Sequence, residues 1–448
     1  MKERNNNLIY DTHEHPRTVK EWVLYAVQML MAVFVATVLI STICGTPVDA
    51  GLLGACLGTL TYQVITKFKS PVFISNSGAT VSAVMGALII GSGVSAMQYG
   101  DMSYVEKLAI NQNYFAVFIG GLVVLAIYVI FALVIKLRGI EAINKMFPAY
   151  IVGPVTIVIG LNLAKFIPSY TSATDIGTLV AIAVMIVVAL SSHYFKGFLK
   201  TIPFLIGLVF GFALCLVLEL TGAADFEIVS KFQNINGFFN IPSFAFLNWS
   251  EDVSTFNFET FMRVVVLFVP VSICALCEHY SDHMVMSNII GHDLTENPGL
   301  HRTLVADGTA SVIGTIFGGQ PNTSYGESTA MVGFSRVASV KVVSLAAIMM
   351  GILAFIQPVQ VFILAVPNCV FGGCAMILYG YIACSGLKTL MKNKVDLENN
   401  KILIIVSVIL TVGVSGAWLF SDAFTGVSLA MVLGIILNLV LRSSKTNN

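Results

Sequence analysis

Apolar runs long enough to cross a lipid hydrocarbon layer recur along almost the whole of this 448-residue chain. Runs approaching the roughly 17 to 25 residues that a spanning helix needs begin near positions 22, 51, 78, 114, 149, 176, 201, 261, 300, 326, 340, 363, 401 and 423, which makes fourteen. Hydrocarbon offers backbone amides no water, so such segments must be helical or find partners within the protein. An all-α polytopic membrane protein is therefore expected. Only 11% of the residues are charged, against about 25% in soluble domains, and the mean hydropathy is +0.86. Equal numbers of basic and acidic side chains, 24 each, leave no electrostatic footprint for a nucleic-acid partner.

Residues 1–21 are polar and read as a cytoplasmic N-terminus; the first apolar run, 22–44, exceeds the roughly 7 to 15 residues of a signal-peptide core and should stay as a membrane helix. Eight cysteines lie almost wholly in apolar runs, without zinc-type spacing, and read as small packing residues. With the N-terminus inside, fourteen spans put 20 of the 24 basic residues on the cytoplasmic side. Among them are Lys2, Arg4, Arg17 and Lys20 before the first span, Lys145 between the fourth and fifth, and Arg442 and Lys445 after the last. Only Lys107, Lys165, Lys231 and Arg263 fall outside. This asymmetry satisfies the positive-inside rule, and it places both termini in the cytoplasm of a multi-pass protein of the cell membrane.

The longest hydrophilic connection, 221–260, divides the chain into two halves of seven spans. Seven is odd, so the halves insert with opposite topology, as an inverted repeat. Traces of the repeat survive at an offset of 250: Gln28 matches Glu278, Pro71 matches Pro321, and Ser77 matches Glu327.

Residues 70–78 and 318–327 do not read as helix. Each combines a proline (Pro71, Pro321) with glycine, β-branched and small polar residues where the span count demands membrane depth. Irregular backbone is tolerated there only when it is buried in protein or lines a cavity. Two short antiparallel strands, in spans 3 and 10, are expected to meet near the midplane and satisfy one another. Half-helices should follow from near Gly78 and Gly326, with Ser77 and Ser324 as caps. Their free N–H groups would hold a polar, electron-rich ligand.

An ionised carboxylate at mid-span costs roughly 2.5 to 3.5 kcal/mol on insertion scales, so Glu278 and Glu327, just after the second break, are the leading functional candidates. Asp282 lies four residues beyond Glu278 on the same helical face, beside Cys274 and Ser281. Two carboxylates one turn apart in low dielectric should share a proton. Asp282 equally fits a structural pairing with a backbone donor or His283; Asp307 reads as a bridge between helices, and His279 and His283 as packing histidines off the Glu278 face. P-loop, HExxH and GxSxG motifs are lacking, which leaves an enzyme or ATPase without residues to stand on. No cofactor is expected, and coupling to an ion gradient would supply the energy. A carboxylate that binds a proton and also accepts a ligand N–H links the two affinities.

At these residues the chain resembles the nucleobase-ascorbate transporter family, most closely its bacterial uracil permease branch. The matching stretches are 275–279, 287–290, 293–294, 298–302 and, above all, 321–327 running to Phe334, Ser335 and Arg336. Gln28, 36–39, 73–75, Phe147 with Pro148, Gly153 and 159–161 add to them. The resemblance implies a core domain of spans 1–4 (22–138) and 8–11 (261–358) and a gate domain of spans 5–7 (147–220) and 12–14 (363–442), joined outside by 221–260. It also implies proton symport of a nucleobase, often by a homodimer. Carried over, Glu278 and Glu327 would accept ring N–H groups and backbone at Phe73, Tyr325 and Gly326 would contact carbonyls. Gln28 and Asp282 complete the expected substrate site, with Glu278, Glu327 and Asp282 coupling protons. The uracil branch has His at Asp282 and at Met29, and the xanthine and uric-acid branch has Asp at Asp282 but Gln at Glu327. Uracil is the leading substrate and a purine the alternative. Outside the family, an anion transporter of the same architecture is opposed by two acids in the pocket. A metal carrier using Glu278, Asp282 and His283, or a receptor without transport, are the remaining readings.

Overall fold

The computed structural model describes residues 8–139, 148–171, 174–232, 237–249, 253–254, 256–419 and 421–441. Expectations for Lys2, Arg4, Lys145, Phe147, Arg442 and Lys445 fall outside the described residues. The fold is mostly helical. In the first part run α1 (Val19–Cys44), α2 (Val48–Ile65), strand β1 (Ile74–Asn76), α3 (Val81–Leu88), α4 (Ala96–Asp101), α5 (Tyr104–Ala109) and α6 (Tyr114–Arg138). Next come α7 (Ala149–Ala164), α8 (Ile167–Thr171), α9 (Asp175–Tyr194), α10 (Pro203–Leu220) and α11 (Ile228–Phe232). The second part holds α12 (Phe258–Ile290), α13 (Leu300–Ile316), strand β2 (Asn322–Ser324), α14 (Gly326–Ser335), α15 (Val340–Leu353), α16 (Gln357–Ala365), α17 (Asn368–Lys392), α18 (Asn400–Ser415), a β-hairpin (Trp418–Leu419 with Ser421–Thr425) and α19 (Gly426–Val440). Among the described residues, α1, α2, α6, α9, α10, α12 and α17 are each long and apolar enough to cross a membrane, and α7, α15, α18 and α19 are shorter apolar helices.

Helix ends follow local chemistry. Thr18 caps α1 by accepting the Glu21 N–H, and Gly45, at φ 79°, closes it with its own N–H on Ser41 O. Asn257 starts the 33-residue α12, and Gly291, at φ 77°, ends it. Both glycines sit where an L side chain would be strained.

The two helix breaks meet as expected. β1 and β2 pair antiparallel in the register Ile74 with Ser324, Ser75 with Thr323 and Asn76 with Asn322. The ladder is extended at both ends, by Ser77 N–H on Pro321 O at 2.9 Å and by Tyr325 N–H on Phe73 O at 3.1 Å. Side chains satisfy the outer edges: Thr59 Oγ1 donates to Ile74 O at 2.7 Å and Ser311 Oγ to Asn322 O at 2.6 Å. Asn76 Nδ2 donates to Thr37 O and to Ser41 Oγ, and Asn322 Nδ2 to Gly54 O and Ala310 O. A three-residue strand away from water thereby leaves few backbone groups unpaired.

The expected caps are corrected here. Ser77 Oγ is buried without a partner, and α3 begins at Val81 after a turn, with no side-chain cap. Ser324 Oγ donates to Asp282 instead, and α14 starts from Tyr325 without a side-chain cap. A capping hydroxyl must face the first amides of its own helix, whereas strand pairing turns these side chains elsewhere.

Packing sorts the helices into two groups. In one, α13 lies against α6 and α2, α15 against α2 and α1, and α12 against α6; in the other, α17 lies against α7, α9 and α10, and α7 against α18 and α19. The crossing of α7 on α17 runs backbone to backbone through Gly153, Gly160 and Gly386. Small residues allow such approach where hydrocarbon supplies no hydrophobic drive. A Cβ at Gly160 would lie 2.6 Å from both Ala383 N and Tyr379 O, whereas one at Gly380 meets nothing within 4 Å. Gly160→Ala should therefore destabilise the purified protein by about 1–3 kcal/mol, read as a lower thermal midpoint in detergent, and Gly380→Ala should leave that midpoint unchanged.

Candidate functional site

A cavity of about 700 Å³ lies between the two helix groups, within the range of small-molecule sites. One wall carries Met31, Ala32 and Val35 of α1, Gly78 and Ala79 after β1, Glu278, Ser281 and Asp282 of α12, Thr323 and Ser324 of β2, and Tyr325, Gly326, Glu327, Ala330 and Phe334 at and within α14. The other carries Phe204 and Leu205 of α10 and Leu378, Tyr381 and Ile382 of α17. Ile40, Lys200, Ile202, Pro203, Cys384, Ser385 and Lys388 complete its lining.

Three carboxylates converge on this space because two different devices place them. Glu278 and Asp282 are one turn apart on α12 and so share a face, and Glu327 is the second residue of α14, which starts inside the protein directly after β2. All three are half-buried. Ser324 Oγ donates to Asp282 Oδ2 at 3.0 Å. A Cβ built on Gly326 would lie 3.8 Å from Asp282 Oδ1, which puts that carboxylate beside the start of α14, where helix N–H groups are unpaired within the helix and favour negative charge. The opposite wall is aromatic: Phe204 and Tyr381 meet edge to face with ring centroids 6.2 Å apart.

Behind the acids, both histidines of α12 are fully buried and engaged. His279 Nδ1 meets Asp307 Oδ2 of α13 at 2.5 Å, and its Nε2 meets Thr303 Oγ1 at 3.0 Å. His283 Nδ1 bonds His279 O at 2.8 Å and Nε2 meets the Tyr62 hydroxyl of α2 at 2.7 Å. The two rings stack with centroids 3.9 Å apart. Packing histidines and a bridging Asp307 were expected, and this is where they sit. Both His283 nitrogens are spoken for, so a metal set of Glu278, Asp282 and His283 does not assemble.

Of the residues singled out from the sequence, Glu278, Asp282, Glu327, Tyr325 and Gly326 come together around the cavity. Phe73 is buried behind it, with its N–H donated to Ser328 Oγ at 3.3 Å and its carbonyl accepting from Tyr325 N. Gln28 is half-buried one turn before Ala32 on the same face of α1 and does not line the cavity. Met29 is buried in the core. Sequence reading missed the far wall, Phe204, Leu378 and Tyr381; the one available signal was the small residues Gly380, Ala383, Ser385 and Gly386, which mark a close helix contact.

A ligand-sized, acid-lined cavity between two helix groups, set in a chain with many apolar helices, defines a multi-pass membrane transporter rather than an enzyme. The Permease family model (Xan_ur_permease) matches residues 20–421. The uracil permease of Bacillus caldolyticus is 33% identical over 445 residues, 97% of this chain and 95% of that protein. That of Bacillus subtilis (strain 168) is 32% identical over 443 residues, 95% of this chain and 93% of that protein. The transmembrane domain of the cyanobacterial bicarbonate transporter BicA shares the fold, with a TM-score of 0.58 at 14% identity over 95% of this chain and 99% of that one. The chain belongs to this permease family, the nucleobase-ascorbate transporters.

Asp307→Ala should leave His279 without its buried partner and cost about 3 kcal/mol or more, seen as a fall in thermal midpoint. Thr303→Val, which removes the His279 Nε2 contact together with the Thr303 hydroxyl's bond to Leu300 O, should cost about 1–3 kcal/mol.

Proposed function

We propose that this protein imports a nucleobase, uracil foremost, by proton symport with alternating access. The observation that carries this reading is the convergence of Glu278 and Glu327 on one cavity, opposite an aromatic wall and beside the start of α14. Each carboxylate can accept a ring N–H, the half-helix amides can meet a ring carbonyl, and Phe204 and Tyr381 suit a flat heterocycle. Three carboxylates converging on one space cannot all be charged at low cost, so one proton enters with the substrate and affinity for each depends on the other. The relatives' names support the substrate.

The architecture belongs to the same proposal: fourteen spans as a seven-plus-seven inverted repeat, a core of 22–138 and 261–358, a gate of 147–220 and 363–442, and both termini in the cytoplasm. In support, a helix begins within five residues of each of the fourteen positions read from the sequence, and the two packing groups follow the same division. Lys200 and Lys388 at the cavity mouth fit an opening toward the cytoplasm.

In proteoliposomes, uptake of labelled uracil should follow an inward proton gradient and not a sodium gradient. Glu278→Ala or Glu327→Ala should reduce it about tenfold to a hundredfold, the worth of a charged hydrogen bond. Full uptake by both variants overturns the proposal. The alternative is a purine such as xanthine or uric acid, favoured by Asp282 as a third acceptor. A thermal-shift series with uracil, thymine, xanthine, uric acid, guanine and adenine separates the two. Chloride or sulfate flux without nucleobase would revive an anion carrier.

A further inference from the structure

The end of the molecule opposite the lysine-rich cavity mouth holds a buried ammonium. Where α1 ends and turns into α2, four successive carbonyls accept side-chain donors from one segment, 99–112. Lys107 Nζ donates to Ile43 O at 2.9 Å, the Tyr99 hydroxyl to Cys44 O at 2.7 Å, Gln112 Nε2 to Gly45 O at 2.8 Å, and the Tyr104 hydroxyl to Thr46 O at 3.1 Å. Three of these donors stay within the helix group that carries the acids. Lys107 alone also reaches across, to the Tyr170 oxygen of α8 at 3.0 Å. Tyr170 belongs to the other group: α8 packs on α17, and a Cβ at Gly372 of α17 would lie 2.8 Å from Tyr170 Cβ.

Lys107 has no exposed surface. Its charge is met by a carbonyl at a helix C-terminus, where cations are favoured, by a phenol oxygen, and by the rings of Tyr99 and Tyr170, each 5.3 Å from Nζ. Burial lowers its amine to about 8, so the charge is present at neutral pH. A carboxylate in place of Tyr170 would have made a buried ion pair costly to break; a phenol makes a bond that can be broken and remade. Two crevices, of about 620 and 350 Å³, run along the same seam and share Tyr104, Ile363 and Leu364 in their walls. Tyr170 lines the smaller one. The seam is thus partly open from that face and closed beneath by the Lys107 contact and by the Phe166 ring packed on Gly100 of α4.

We propose that Lys107 and Tyr170 form an external latch, which holds the outer ends of the two helix groups together while the acid-lined cavity faces the cytoplasm, and which must part for the site to face outward. The orientation rests on the transport reading above. Lys107 is then a positioning residue for the conformational step, without contact to substrate.

Native Cys384 reports on it: this cysteine is exposed and lines the cavity mouth, while six of the other seven are buried and Cys277 is half-buried. Maleimide labelling of purified protein, with Cys384→Ser as the blank, should slow about threefold or more in Tyr170→Phe, because losing the bond moves population to a state with the inner mouth closed. Lys107→Gln should act in the same direction. Unchanged or faster labelling in a folded Tyr170→Phe overturns the latch, and should that variant not fold, Lys107→Gln decides by the same criterion. A uracil arm on the unmutated protein keeps the two proposals apart. If uracil raises the thermal midpoint but Tyr170→Phe leaves Cys384 labelling unchanged, the latch fails; if uracil leaves the midpoint where it was while Tyr170→Phe slows labelling, the latch stands and the substrate assignment fails.

Discussion

Pairing of β1 with β2 is the constraint on which the rest of the structure depends. A spanning segment that stops being helical exposes amides and carbonyls to a medium that cannot solvate them, and here each break supplies what the other lacks. Ile74 to Asn76 and Asn322 to Ser324 form the ladder, hydroxyls of α2 and α13 donate to its outer carbonyls, and the side-chain amides of Asn76 and Asn322 donate to carbonyls of α1 and α2. Only because that bookkeeping closes can α14 begin inside the protein and present Glu327 and its own first amides to a cavity. Remove the pairing, and the acid has no reason to be where it is.

The acids in turn depend on the layer behind them. α12 carries Glu278 and Asp282 toward the cavity and His279 and His283 away from it, so one helix serves both purposes through its two faces. The histidines fasten it to α13 through Asp307 and Thr303 and to α2 through Tyr62. The cavity's accessible carboxylates are therefore mounted on a fully buried polar frame of His279, His283, Asp307, Thr303 and Tyr62.

Much of this was legible in the sequence because membranes make certain residues conspicuous. Proline and glycine beside β-branched residues at spanning depth marked both breaks, and carboxylates in apolar runs marked Glu278, Asp282 and Glu327. Details of rotation were not legible: Ser77 and Ser324 looked like caps, yet pairing carried their hydroxyls elsewhere, and Gln28 and Phe73 stand near the cavity without lining it. The far wall stayed hidden for a plainer reason. Phe204, Leu378 and Tyr381 are ordinary among apolar neighbours, and only the approach of one helix group to another gives them a role. Lys107 counted in sequence only as one of the few cations outside, and nothing local announced that it would be enclosed by three aromatic and carbonyl-bearing segments.

The direct pairing of Ile74 with Ser324 joins residues 250 positions apart. During synthesis at about 5–20 residues per second, the first break therefore reaches the bilayer about 12 to 50 seconds before its partner exists. Over that interval its polar backbone must be sheltered by the insertion machinery or by water drawn in alongside it, so the ribosome's pace, and not only the finished geometry, bears on whether this molecule assembles.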